Sequence, residues 1–130
     1  MFQTKNKQEM SKTIFLSAIL LMVTSCTSRI KIPDIEGVVY EAKTIKPIAD
    51  AEIYIDEDNK TKTDAKGHFH IEKKMYSEKI SVGGEAPPVI YKMTVSKKEY
   101  KDTIIHYKNL FGGGNKNLTV KYDSIMLKKK

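Results

Sequence analysis

The chain has 130 residues, 23 basic and 16 acidic side chains, a formal net charge of +7 and a single cysteine. A chain of this length accommodates one domain with a modest hydrophobic core. One cysteine excludes an intramolecular disulfide framework. The basic side chains are scattered and are not interleaved with aromatic residues, which argues against a surface built to bind nucleic acid.

The first 26 residues have the layout of an export signal. Three lysines opposed by one glutamate give a positive start, and the stretch 14–23 is apolar except for Ser17. Ten helical residues span about 15 Å, which is half of a ~30 Å hydrocarbon core. The stretch is therefore too short to cross a bilayer and is typical of a signal peptide.

The tetrapeptide Val23-Thr24-Ser25-Cys26 ends this segment. An aliphatic residue, two small residues and a cysteine resemble the bacterial lipobox. The resemblance implies cleavage before Cys26, a diacylglycerol on its sulfur and a further acyl chain (palmitate) on its amine. Several acyl chains attach a protein to a membrane stably, whereas a single chain is marginal. The alternative is an ordinary secretory signal with a chance cysteine.

Removal of residues 1–25 leaves 105 residues, of which 20 are basic and 15 acidic. An exported chain does not meet nucleic acid, so none is expected as a partner. The run Lys128-Lys129-Lys130 is either a solvated tail or a group attracted to anionic lipid headgroups or acidic polysaccharide. Thr27, rather than aspartate, follows Cys26, as in lipoproteins that are sorted to the outer membrane. We therefore expect a lipid-anchored protein of the cell envelope, on the periplasmic or surface face of that membrane.

Four segments are expected: a signal peptide at 1–25, a lipidated tether at 26–33, one β-sandwich domain at 34–127 and a basic tail at 128–130. Alternation of apolar and polar residues dominates the domain and predicts about seven strands in two packed sheets. No amphipathic helix is expected after the signal. The predicted strands are 35–40, 51–56, 60–63, 68–72, a short one at 79–82, 89–95, 100–107 and 118–127, the last with a register change at 123–124.

One turn of the domain is predicted in detail. Residues 64–67 are expected to close a hairpin between strands 60–63 and 68–72, with Gly67 at positive φ and Asp64 accepting hydrogen bonds from nearby backbone N–H groups. This register points Phe69 and Ile71 into the core. It points His68 and His70 outward.

Several segments together resemble one known family. They are Glu36-Gly37-Val38-Val39, the run 46–55 (KPIADAEIYI) and the run 61–71 (TKTDAKGHFHI). Lys98-Glu99-Tyr100-Lys101 and Ser124-Ile125-Met126-Leu127 match more weakly. The family is the carboxypeptidase regulatory-like domain, in which a Gly-Tyr-Lys stands where this chain has Glu99-Tyr100-Lys101.

The resemblance implies a seven-stranded Greek-key, prealbumin-like sandwich over residues 35–127. Such domains occur as accessory modules of secreted enzymes, in surface lipoproteins and at the front of outer-membrane nutrient receptors, especially in Bacteroidetes-type bacteria. The family brings no catalytic residues with it. No catalytic, cofactor-binding or metal-binding residue is therefore predicted, and the one predicted site is lipidation of Cys26.

Three sequence features leave a ligand open as an alternative. His68, His70 and His106 could bind zinc if strand pairing brought them together, but an outward polar face that happens to contain histidine is expected instead. The acidic run 56–59 suggests calcium by composition but lacks the twelve-residue ligand pattern. The loop around Gly112-Gly113-Gly114 suggests phosphate, but no Ser or Thr follows Lys116, so a flexible hairpin loop is expected instead.

The function expected from these observations is that of a membrane-anchored, non-enzymatic β-sandwich lipoprotein, acting as a structural or protein-interaction module. The alternative is a carbohydrate-binding accessory lipoprotein of a nutrient-uptake system, in which aromatic residues stack on sugars. A third class, a small envelope hydrolase, would need a concave polar pocket. Partner contacts are expected in the loops 82–89 and 108–117 at one end of the sandwich. The aromatic residues considered for sugar stacking are Tyr54, Tyr76, Tyr91 and Phe111.

Overall fold

The computed structural model describes residues 12–16, 26–79 and 86–130. The chain divides into two compact units, one containing 1–27 and 77–84 and the other containing 28–76 and 85–130. In the first unit, residues 12–16 are helical. The rest of the predicted signal peptide, with the lipobox residues before Cys26, lies outside the described residues, as does most of the strand predicted at 79–82.

Strands are the main regular structure of residues 26–79 and 86–130. A single 3₁₀ turn at Gly112–Gly114 is the only helical segment among residues 26–79 and 86–130. The strands are β1 (Cys26–Ile32), β2 (Asp34–Glu41), β3 (Glu52–Asp56), β4 (Asn59–Lys62), β5 (His68–Ile71), β6 (Lys74–Lys79), β7 (Val89–Ser96), β8 (Thr103–Asn109) and β9 (Thr119–Leu127).

Two sheets hold seven of these strands. The first has the order β5-β2-β9, and the second has the order β4-β3-β7-β8. All pairs are antiparallel except β2 and β9, which run parallel. Strands β1 and β6 form a separate two-stranded sheet. The predicted all-β fold with two packed sheets is confirmed.

The core lies between the two larger sheets. Alternate residues of each strand contribute to one apolar cluster, as expected when one face of each sheet is buried. On β7 the alternation runs without a break, with every odd-numbered residue from Val89 to Val95 buried. The buried members are Ile30, Ile32, Ile35, Val39, Ile48, Ala51, Ile53, Phe69, Ile71, Val89, Tyr91, Met93, Val95, Ile125 and Leu127.

The last strand changes register where the sequence predicts it. Gly37 pairs with Tyr122, whereas Val39 pairs with Ile125, so β9 uses three residues where β2 uses two. Such a bulge lets Tyr122 and Ile125 both face inward although their spacing is odd. The register change predicted at 123–124 is therefore confirmed.

The hairpin predicted across residues 64–67 is wrong in its pairing. Strand β4 pairs with β3 and strand β5 pairs with β2, so the turn crosses from one sheet to the other. Thr63 explains why β4 pairs with β3 and not with β5. Its hydroxyl donates to the Ile48 carbonyl (2.6 Å) and accepts from the Ala51 N–H (2.9 Å). Its backbone N–H donates to the Ala51 carbonyl (3.0 Å). These buried bonds hold the end of β4 against the start of β3. Alternation alone indicates which face is buried and leaves the partner strand open.

The turn itself has the predicted conformation. Gly67 has a φ of 78°, and its N–H donates to the Asp64 carbonyl at 3.0 Å. The Asp64 carboxylate accepts from the backbone N–H groups of Lys66 and His68, both at 2.9 Å. The bond from His68 and, after it, the bond from Lys66 hold the pKa of the Asp64 carboxyl below its ordinary value. Phe69 and Ile71 are buried, while His68 and His70 are exposed, as predicted.

The segment expected to be a tether, 26–33, is instead folded. It forms β1, in which Ile30 and Ile32 are 1% and 4% exposed and belong to the core. The sequence itself indicates this strand, because the two isoleucines alternate with Arg29 and Lys31 in the period of a half-buried strand. Cys26 is therefore the first residue of a strand whose later residues enter the core.

The two ends of the sandwich carry different segments. Residues 86–88 and 110–118 form one end, which we name the loop end; the Gly113 N–H donates to the Pro87 carbonyl there (2.9 Å). At the opposite end, the Lys101 N–H donates to the Lys128 carbonyl (2.8 Å) and ties the turn between β7 and β8 to the C-terminal residues. Contrary to the expectation of a hairpin, residues 110–118 connect β8 and β9 of different sheets.

We predict that Gly67→Val destabilises the domain by about 1–3 kcal/mol through backbone strain. A Cβ atom at residue 67 would also lie 2.6 Å from the Val39 carbonyl oxygen. Ala65→Val, in the same turn but exposed, is the matched control and should change stability little. Urea denaturation measures both variants. Equal stability of Gly67→Val and Ala65→Val would show that the left-handed turn is not a constraint.

A second prediction concerns Glu99, which has a φ of 75° although it is not glycine. A side chain in this region is strained by roughly 1–2 kcal/mol. Replacing it with glycine removes this strain but costs about 0.5–1 kcal/mol, because glycine loses more conformational entropy on folding. Glu99→Gly should therefore raise the free energy of unfolding slightly, by about 0.5–1 kcal/mol. Lys98→Gly, one residue earlier, should lower it. A melting temperature reduced in both variants would contradict the strain.

Candidate functional site

An open depression of about 610 Å³ is lined by residues of β2, β5 and β9 of the three-stranded sheet, by Thr61 and Lys62 of β4, and by Asp64 of the turn between β4 and β5. Its lining includes both outward residues of the three-stranded sheet and the buried Phe69. The polar side chains at its wall include Glu36, Asp64, His68, His70, Lys121 and Asp123.

The polar groups of this depression are engaged with one another. His70 Nε2 lies 3.2 Å from Asp34 Oδ1, which also accepts from the Lys73 N–H at 3.1 Å. Lys121 pairs with Glu36 at 3.2 Å. Asp64 is occupied by its own turn. The arrangement holds β5 and β9 against β2, and it leaves the two histidines beside carboxylates that already have partners.

The third histidine lies on the other sheet. His106 belongs to β8 and pairs with Lys92 of β7, while His68 and His70 belong to β5 of the three-stranded sheet. The structure does not bring the three imidazoles together. Within the described residues, no three His, Cys, Asp or Glu side chains form a group that could hold a metal ion.

The acidic run considered for calcium forms the tight turn between β3 and β4. Asp56 Oδ1 accepts from the Asp58 N–H (2.9 Å) and from the Asn59 side-chain amide (2.8 Å). An aspartate that bonds the backbone two residues later is a common way to close a turn. Asn59 is buried, so this amide fixes the carboxylate from the protein side. The residues serve the turn and the start of β4.

The glycines of the loop end allow two segments to pack closely. A Cβ atom at Gly113 would lie 2.6 Å from the Pro87 carbonyl oxygen, and one at Gly112 would lie 3.0 Å from the Val89 side chain. Gly112 and Gly113 are buried. The segment therefore packs against residues 86–89 instead of extending as an open hairpin loop, and the glycine run is explained by this contact and not by phosphate.

Three tyrosines connect the sheets near β8 and β9. The Tyr91 and Tyr122 hydroxyls lie 2.8 Å apart, and the Tyr91 ring stacks on Tyr107 with centroids separated by 4.8 Å. Burial, followed by the bond to Tyr122, raises the pKa of Tyr91 well above its usual range, and burial likewise raises the pKa of Tyr122. Both hydroxyls therefore stay protonated at physiological pH and form a neutral hydrogen bond between the sheets.

The aromatic residues considered for sugar stacking are dispersed. Tyr91 is 4% exposed and belongs to the core. Tyr54 is half-buried and donates to Glu57 at 3.3 Å. Tyr76 and Phe111 are exposed but lie on β6 and in the loop end, respectively. These four residues do not form a row along one sheet.

Eight lysines gather at the end opposite the loop end, and we name this surface the lysine end. Its backbone is fixed, since the Lys101 N–H donates to the Lys128 carbonyl and the Lys130 N–H donates to the Glu99 carbonyl (3.0 Å). Carboxylates are interspersed, with Lys129 paired to Glu41 at 3.5 Å. The sequence indicates only the C-terminal run of lysines, because the other lysines come from segments that are far from this run along the chain. The eight are Lys43, Lys62, Lys97, Lys98, Lys101, Lys128, Lys129 and Lys130, which line two neighbouring depressions.

Cys26, the predicted lipidation site, is the first residue of β1 and is exposed. An exposed sulfur is accessible to modification. Among residues 12–16, 26–79 and 86–130, the structure contains no helix with the length and hydrophobicity needed to span a bilayer. A scan against protein-family models and a search of curated proteins found no match to this chain.

Proposed function

We propose that this chain is a cell-envelope lipoprotein held in the outer membrane by acylated Cys26, with a non-enzymatic β-sandwich that serves as a structural or protein-interaction module. One observation carries the proposal. The sole cysteine is exposed at the first residue of the first strand and directly follows a short apolar stretch and two small residues. In this position, lipid on Cys26 would lie at the boundary between anchor and folded chain.

The kinship to the carboxypeptidase regulatory-like domain is part of the same proposal. Its motif residues meet in space: Phe69 packs on Gly37, and Gly67 packs against Val39 and Pro47. Glu99 stands where the family has glycine and adopts a glycine-favoured φ. These contacts support a shared architecture. They give the motif residues roles in folding, which is the basis for proposing a binding module and not an enzyme.

The lysine end supports an anionic partner for the module. Eight lysines on a fixed backbone create a positive surface whose attraction for a polyanion is strong at low salt and screened at high salt. An acidic envelope polysaccharide or an acidic protein surface has the required chemistry. The alternative function, carbohydrate binding through aromatic stacking, would instead favour neutral sugars, and the dispersed aromatics give it less support.

The anchor predicts a specific labelling pattern in cells. A clickable palmitate analogue should label the wild-type chain, and the chain should sediment with membranes. Cys26→Ala should abolish the label and release the chain from the outer membrane. Ser28→Ala, two residues later, is the matched control and should behave as wild type. Identical fractionation of Cys26→Ala and wild type would rule out the anchor.

The lysine end predicts salt-dependent binding to polyanions. Replacing Lys128, Lys129 and Lys130 with glutamine should weaken binding to polygalacturonate, measured by calorimetry at low salt, while neutral dextran should not bind either form. A control with the same change in charge replaces Lys60, Lys92 and Lys121, which lie on sheet faces, and should bind like wild type. Equal losses in both triple variants would attribute the binding to net charge alone.

A further inference from the structure

Three large apolar side chains are exposed close together at the loop end. Ile90, Leu110 and Phe111 are 60%, 56% and 63% exposed, and we name them the apolar rim. Ile90 pairs across the sheet with Lys108, and the next pair, Val89 with Asn109, leads directly into Leu110 and Phe111. The three residues therefore occupy one edge of the loop end.

The rim is held outward by its surroundings. The Phe111 N–H donates to the Asn109 side-chain carbonyl at 3.2 Å, and the Gly113 N–H donates to the Pro87 carbonyl. A Cβ atom at Gly112 would lie 3.0 Å from the Val89 side chain, so this glycine packs closely against the start of β7. Leu110 and Phe111 directly precede this closely packed segment, and both side chains are exposed.

Cations lie beside the rim. Lys108 lies two residues before Leu110 in the chain and pairs with Ile90 across the sheet. Lys73 donates to the Lys116 carbonyl at 3.3 Å, which places both lysines at this end. Exposed apolar side chains surrounded by basic residues are the composition of surfaces that dock on anionic membranes: the apolar groups enter the acyl boundary and the cations contact the headgroups.

The chain itself brings this end to a membrane. The Arg29 guanidinium lies 3.5 Å from the position that a Cβ atom of Gly114 would take, so Arg29 is at the loop end. Cys26 is three residues earlier, and consecutive Cα atoms are 3.8 Å apart, so connectivity limits Cys26 to about 11 Å from Arg29. Lipid on Cys26 would therefore hold the loop end next to the bilayer.

We propose that the apolar rim inserts into the bilayer that carries the lipid anchor and orients the domain with its loop end on the membrane and its lysine end away from it. The inference rests on the proposed acylation of Cys26. The anchor retains the protein in the membrane, and the rim sets the orientation. Loss of the rim should therefore leave the protein membrane-bound and change only the surface that faces the lipid.

The chain contains no tryptophan, so a single introduced tryptophan reports its own surroundings. Phe111→Trp keeps an aromatic side chain in the rim. Ile104→Trp is the matched control, because Ile104 is 53% exposed on β8, the strand that leads into Phe111, but near the opposite end of the sandwich. The lipoprotein, expressed from the full chain, is reconstituted into phosphatidylethanolamine vesicles with phosphatidylglycerol, and quenching by brominated lipids is measured.

We expect the tryptophan at 111 to be blue-shifted and strongly quenched by brominated lipid, and the one at 104 to remain in water. Replacing Lys108 and Lys116 with glutamine should reduce the quenching at 111, with the preference for the docked orientation falling roughly five-fold per lysine at low salt. The effect of these two replacements should vanish in vesicles of phosphatidylcholine alone.

Four results would overturn the inference. Equal quenching at both positions would mean that the domain lies on its side or tumbles. A blue shift at 111 without quenching by brominated lipid would mean that a second copy of the chain covers the rim. A lipidated chain with tryptophan 111 in water would refute the docking alone, whereas a chain without acyl groups on Cys26 would refute the anchor and the docking together.

Discussion

The close packing of β2 against β5 and the turn before it is the constraint on which the rest of the sandwich depends. A Cβ atom at Gly37 would lie 2.8 Å from the Phe69 ring, and one at Gly67 would lie 2.6 Å from the Val39 carbonyl oxygen. The missing side chains let the Phe69 ring enter the core and let the crossover turn touch β2. Pairing of β2 with β5 then fixes the outward face that carries His68 and His70, and parallel pairing with β9 fixes the two ends.

Much of this architecture follows from local patterns in the sequence. Alternation identifies the buried faces of β3 and β7, and the broken alternation at residues 123–124 identifies the bulge in β9, because each depends only on which side chains face the core. The positive φ of Gly67 can be predicted for the same reason, because it is a local property of the turn. The isoleucines at 30 and 32 also indicate the β1 strand, whereas the neighbouring lipobox favours a tether.

The features that the sequence does not predict are those set by contacts between residues far apart in the chain. Whether residues 60–63 pair with 68–72 or with β3 depends on the buried bonds of Thr63 to residues 48 and 51, which alternation does not encode. The lysine end forms because the C-terminal backbone bonds to the turn between β7 and β8. The glycine run at 112–114 likewise acquires its role from residues 86–89. In each case the partner segment is separated along the chain and supplies no local signal.

The loop end is assigned to the membrane and the lysine end to partners, and the membrane assignment depends on the chemistry of a single residue, Cys26. Intact-mass analysis of the protein extracted from membranes tests that chemistry most directly, because it reads the start of the chain and its modification together. The account predicts a mature chain that begins at Cys26 and carries the mass of a diacylglycerol and an additional acyl chain. A chain that retains residues before Cys26, or one whose cysteine is a free thiol, would contradict it.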